Sequence, residues 1–167
     1  MHGDDLTEDT EKMASRRFSF RTLSKNKRKA GEWYGMIFGI DPARDILLIR
    51  RLYGKDGMPW CLEEIYTPDP ELAFPKLQLS DPEMLWSLRD MKDLFRVSQT
   101  IQVAVPHPDD RRLLRIREEW PVFLITREYR SASGAVEVYQ RIMIVGGDNV
   151  IPVSYTQEKK EDGRVQR

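Results

Sequence analysis

One cysteine and two histidines are all the thiol and imidazole side chains that the 167 residues hold. Cys61 alone excludes an intramolecular disulfide and any zinc site built on several thiolates of one chain. His2 lies in the polar start of the chain. His107 stands between Pro106 and Pro108, a loop setting in which a histidine is ordinarily just solvated. No Gly-x-Ser-x-Gly, His-Glu-x-x-His, P-loop or Gly-x-Gly-x-x-Gly spacing occurs. Hydrolase and metalloenzyme chemistry therefore find no carrier here, and neither metal nor cofactor is expected. No apolar run approaches the ~18 residues of a membrane-spanning helix. The chain opens on Asp4, Asp5, Glu8 and Asp9, not on a basic region followed by an apolar stretch, so it does not read as a secretory signal. A cytoplasmic address is expected, with no membrane partner. Lys plus Arg equals Asp plus Glu at 27 each, so no global field draws the chain to nucleic acid.

What is present is an ordinary globular composition, 40% hydrophobic and 32% charged, long enough for one domain with a real core. Residues 1–16 read as a disordered acidic leader and 156–167 as a flexible tail. Residues 15–29 carry seven basic side chains and no acidic one. They read as a linker or a solvated helix face, with a nucleic-acid contact as the alternative. Ala30 to Phe38 suits a short helix stopped by Gly39. Asp45–Tyr53 and Trp60–Thr67 read as strands joined by a turn at Gly54-Lys55-Asp56-Gly57. Ser80, Asp81 and Pro82 precede Met84, Leu85, Leu88, Met91, Leu94 and Phe95 at helical spacing, an amphipathic helix. Val97–Val105 alternates as a strand. Pro108–Arg117 reads as a helix whose end charges oppose its dipole. Pro121–Arg130 and Val136–Val145 form a second hairpin, and Val150–Tyr155 a last short strand. The expected fold is α+β, a single antiparallel sheet of five or six strands with helices packed on it.

Several polar residues sit inside these strands. Arg51 ends an apolar strand, Glu63 lies in the strand facing it, Arg127 follows Phe123-Leu124-Ile125-Thr126, and Glu137 separates two valines. In a half-solvated sheet each of these could simply face water. Together, two arginines and two glutamates on neighbouring strands could line a polar pocket. Guanidinium would grip a carboxylate or phosphate, and carboxylates would accept from ligand hydroxyls. Ser98 and Thr100 share one face of their strand and could add donors.

The order of these signals resembles the UTRA domain, the effector-binding domain of GntR/HutC-type transcription regulators. Leu48-Ile49-Arg50-Arg51-Leu52, the turn ending Asp56-Gly57-Met58-Pro59, then Glu63, Tyr66 and Pro68 resemble its first hairpin. Gly39-Ile40-Asp41 resembles the lead-in to that hairpin. Ser98 to Ala104, Leu113 to Ile116, and Pro121 to Arg127 with Gly134 and Glu137 resemble its later strand, small helix and closing hairpin. The likeness covers residues 17–155. It implies a chorismate-lyase-like fold, a homodimer, and binding of a small anionic or polar metabolite. It implies that Arg51 holds the anionic group and that Glu63 and Glu137 meet ligand hydroxyls. Ser98 and Thr100 then offer hydroxyls, Ser19 of a Ser-Phe segment reaches the ligand, and Arg127 and Tyr66 join the site.

The chain departs from this pattern where many sugar-phosphate binders carry a second arginine two residues after the first: that position is Tyr53. The usual Arg-x-Asp near the end is replaced by Val145-Gly146-Gly147-Asp148. At most 16 residues precede the match, too few for a winged helix, so DNA is expected to be a partner only indirectly. The alternative is an enzyme like chorismate pyruvate-lyase, with Arg51 holding the substrate carboxylate and Glu137 as acid/base.

Overall fold

The computed structural model describes residues 18–71 and 96–146. Strand β1 spans Phe18–Lys29, β2 Asp45–Lys55, β3 Met58–Thr67, β4 Arg96–Ala104, β5 Val122–Arg130 and β6 Val136–Val145. They form one six-stranded sheet in the order β1-β2-β3-β6-β5-β4, and every neighbouring pair is antiparallel. Helix α1 spans Gly31–Phe38 and α2 spans Pro108–Leu114. The single antiparallel α+β sheet expected from the sequence is the observed architecture. The expected leader, the helix over 84–95, the strand Val150–Tyr155 and the tail lie outside the described residues.

The two hairpins arise for different local reasons. The first turns at Asp56 and Gly57, which take φ of 52° and 78°. That left-handed pair suits the right-handed twist of the flanking strands, and Asp-Gly adopts it readily. The turn is two residues tighter than the four-residue turn expected, so β2 and β3 run longer. The second hairpin turns through residues 131–135, with Gly134 at φ 85°. Its strands bury alternate residues almost without a break.

Residues 18–29 are a correction: they are neither linker nor helix face but the edge strand of the sheet. A register shift between Thr22 and Ser24 breaks the two-residue period that would have marked a strand. The basic side chains that suggested a solvated helix instead line an exposed edge, where lysines discourage pairing with another chain.

Helix α1 stops where Gly39 takes φ 66° and sends its N–H to the Gly35 carbonyl. It buries Tyr34 and Phe38 against Ala30, Ile46, Tyr66 and Val136. Helix α2 is capped by His107, whose Nδ1 accepts from the Asp109 N–H at 3.3 Å. It was expected to reach Arg117, but Arg115 turns left-handed at φ 54° and ends it at Leu114. Leu114 is the helix's one buried residue, and it fits among Leu52, Leu62, Val122, Leu124 and Met143. Burying such a side chain fully contributes ~1.5–3 kcal/mol.

Candidate functional site

Successive side chains of a strand point to opposite faces, and directly opposed residues of paired strands share a face. The register therefore sorts the polar residues of the sheet into two sets. On the face shared with α1 and α2 lie Arg50, Glu64, Tyr66 and Arg141. On the other face a polar stripe runs across five strands through Arg51, Glu63, Gln140, Arg127 and Gln99.

Glu63 is the centre of that stripe. It is only 3% exposed, and a carboxylate so placed must be hydrogen-bonded or paired. The Tyr53 hydroxyl donates to its Oε2 at 2.6 Å. The Gln140 amide donates to its Oε1 at 2.6 Å. Arg51 Nη1 stands 3.8 Å from Oε2, an ion pair without a close hydrogen bond. Gln140 is held in turn by the Tyr129 hydroxyl, which donates to its Oε1 at 2.8 Å. Further along, Arg127 Nε donates to Gln99 Oε1 at 2.7 Å. Burial, with Glu63 beside it, pushes the Tyr53 hydroxyl far above the usual tyrosine range, so it stays a donor. Cys61 is fully buried in the apolar cluster, and that burial raises its thiol well above the ordinary value, which disfavours the thiolate.

Two buried donors near this centre are unmet: Arg51 Nε and Trp60 Nε1 have no hydrogen-bond partner. Trp60 packs on the cluster of Tyr53, Cys61, Ile125, Ile142 and Ile144, all of which lie on the stripe's face by register. It sits beside a register shift that separates the Tyr53–Cys61 pair from the Gly54–Pro59 pair.

On the helix face a second ionic network forms. Arg50 Nε and Arg141 Nη1 reach Glu64 at 3.1 and 2.8 Å, and Arg50 Nη2 reaches Asp110 of α2 at 2.7 Å. The Tyr66 hydroxyl donates to Glu64 at 3.1 Å, and the Tyr66 ring stacks on Tyr34 with centroids 4.2 Å apart. This network joins α2 to three strands.

Of the residues singled out in the sequence, the structure brings Arg51, Glu63 and Arg127 onto one face. Tyr66, Ser98 and Thr100 fall on the opposite face; Ser98 and Thr100 stand opposite Glu128 and Thr126. Glu137 lies at a register shift between the Tyr129–Val138 and Arg130–Val136 pairs. Its main-chain carbonyl accepts from Thr67 Oγ1 at 2.8 Å. The acid/base position of the lyase-like alternative is therefore not gathered with Arg51. Ser19 pairs with Gly54 and lines a separate cleft of 310 Å³ with Arg21, Arg115 and Met58. Sequence reasoning missed Tyr53, Gln99 and Gln140. Gln140 was legible in principle: it is the polar residue in phase with Val138 and Ile142.

Among the described residues no group of three or more metal-ligating side chains gathers, and no helix is long and apolar enough to cross a membrane.

A single antiparallel sheet with helices on one face and a buried polar stripe on the other defines an α+β domain. The chain belongs to the UTRA domain family, whose model matches residues 14–146. Three solved structures show the likeness in fold. The C-terminal domain of the histidine utilization repressor from Pseudomonas syringae pv. tomato DC3000 is 14% identical with a TM-score of 0.68, over 84% of this chain and 100% of that one. PhnF from Mycobacterium smegmatis is 19% identical with a TM-score of 0.62; the match covers 87% of this chain but only 64% of PhnF. The ligand-binding domain of a GntR-family regulator from Bordetella bronchiseptica is 15% identical with a TM-score of 0.66, over 84% of this chain and 90% of that one. No curated protein matches the chain in sequence.

Proposed function

We propose that the chain is the small-molecule-sensing effector module of a GntR/HutC-type transcription regulator, and that its ligand binds on the polar stripe. The observation that carries this reading is the Glu63 centre. A carboxylate is buried in the sheet and fixed by Tyr53 and Gln140, with Arg51 beside it only loosely engaged at 3.8 Å. A pair kept solely for stability gains little from such an arrangement, because desolvation offsets much of the attraction. A fixed carboxylate and an under-used guanidinium are instead groups that orient a ligand. The family membership and the relatives described as effector or ligand-binding domains support the same reading.

Arg51 holds the anionic part of the ligand and Glu63 accepts from its donors, with Arg127 further along the stripe. The module works as a homodimer in the cytoplasm and meets DNA only indirectly, through a separate winged-helix domain. Ligand acts by favouring one of two arrangements of the dimer, to the extent that it binds that arrangement more tightly. The test is a thermal-shift screen against sugar phosphates, amino acids and small aromatic acids. A true ligand raises the melting temperature by mass action. Arg51→Ala is expected to keep the fold and lose the response. A variant that responds like the wild type contradicts the placement.

A further inference from the structure

Arg51 Nε and Trp60 Nε1 are buried donors with no acceptor, and a buried unmet donor carries a desolvation cost that something normally relieves. Both belong to the stripe's face. Arg51 is two residues from Tyr53 on β2, and Trp60 on β3 packs against the cluster that contains Tyr53. Glu63 does not relieve them: its oxygens accept from the Tyr53 hydroxyl and the Gln140 amide, and Arg51 meets it through Nη1, while Arg51 Nε and Trp60 Nε1 stay without a partner. What this corner lacks is therefore acceptors.

We infer that Trp60 is a ligand-binding residue, and that with Arg51 Nε it receives the carboxylate of a monoanion whose apolar body lies against the Trp60 cluster. This rests on the effector-site reading above and narrows it to a ligand class. A carboxylate brings two acceptor oxygens and a single charge. A phosphate monoester brings up to two charges beside the fixed carboxylate of Glu63, where like charges repel. The position that would supply a second arginine on this strand is Tyr53, whose hydroxyl is committed to Glu63. The cluster that Trp60 packs against includes Ile125, Ile142 and Ile144, with Phe123 packed on it as well, and these side chains suit a hydrocarbon or aromatic body better than a sugar.

The indole N–H gives a direct reporter. Each of the four tryptophans yields one indole cross-peak in a proton–nitrogen correlation spectrum of the full chain, and Trp60→Phe identifies the one from Trp60. Benzoate and hexanoate serve as monocarboxylate probes, with phenyl phosphate and inorganic phosphate as dianionic ones. The expected result is that a monocarboxylate moves the Trp60 indole peak in wild type. Trp60→Phe then weakens binding about tenfold, the range of one hydrogen bond to a charged group, and Arg51→Lys, which keeps the charge but removes Nε, weakens it likewise. Carboxylate binding that leaves the indole peak unmoved overturns the role of Trp60. Preferential, Arg51-dependent binding of phenyl phosphate overturns the ligand class while the effector site stands. Failure of both monocarboxylates to bind overturns the inference, and the broader screen judges the effector site separately.

Discussion

Arg51 and Glu63 stand directly opposite each other on neighbouring strands, 3.8 Å apart, and are held on the face of the sheet away from the helices. Their chain neighbours repeat the pairing behind them. Arg50 meets Glu64 at 3.1 Å on the helix face and extends to Asp110 of α2. Two consecutive residues on each strand thus build back-to-back ion pairs through the thickness of one sheet.

The Glu63 centre sets a stability prediction. Glu63→Ala leaves Arg51, the Tyr53 hydroxyl and the Gln140 amide facing a buried void, and breaking a buried pair in this way costs ~3–5 kcal/mol. Glu63→Gln keeps an acceptor of the same shape and is expected to cost less. Urea unfolding measures both, and equal losses would mean that the charge and not the hydrogen bonds holds the centre.

Asp110 sets a pH prediction. Burial and then the charge of Glu64 raise its carboxyl above the ordinary aspartate value of 3.8, although Arg50 and Arg141 oppose the shift. A carboxyl raised on folding favours the native state while protonated. Its contribution is full below pH 3.8 and is lost as pH rises through the higher folded value. Wild type is therefore expected to lose stability relative to Asp110→Asn as pH rises from below the carboxylate range toward neutrality. Denaturant unfolding at a series of pH values checks the direction.

The end of α1 sets a third. Gly39 has φ +66° with nothing within 4 Å of an added Cβ, whereas a Cβ on Gly35 would come within 3.0 Å of the Ile40 carbonyl oxygen. Gly39→Ala then pays only for its left-handed backbone, ~1–2 kcal/mol. Gly39→Asn is expected to be milder, since asparagine tolerates that region. Gly35→Ala instead forces the backbone turn after the helix to give. Thermal unfolding of the three variants separates strain of conformation from strain of contact.

How much of this was legible beforehand follows from what each element depends on. The hairpins were readable because Asp56-Gly57 and the apolar alternation of Val122–Arg130 and Val136–Val145 are local signals. β1 was not, since its bulge removes the period and its charges mimic a solvated helix. In the polar stripe, Arg51, Glu63 and Arg127 are legible as charges in apolar strands. Glu137 carries the charge, but Gln140 is the residue in step with Val138 and Ile142, and its neutral amide reaches the buried carboxylate. Ser98 and Thr100 were grouped correctly on one face, but which face depends on register across β4 and β5, which no single strand encodes.

The central claim is that ligand binds on the face carrying Arg51, Glu63 and Gln140. Backbone amide chemical-shift mapping of the full chain, with a ligand taken from the thermal-shift screen, tests it most directly. The account predicts that the largest shifts fall on β2, β3 and β6 at Arg51, Glu63 and Gln140, with Trp60 beside them. Shifts gathered instead at Ser19, Arg21 and Arg115, or around Trp33 and Met36 in the 640 Å³ cleft beside α1, would contradict it.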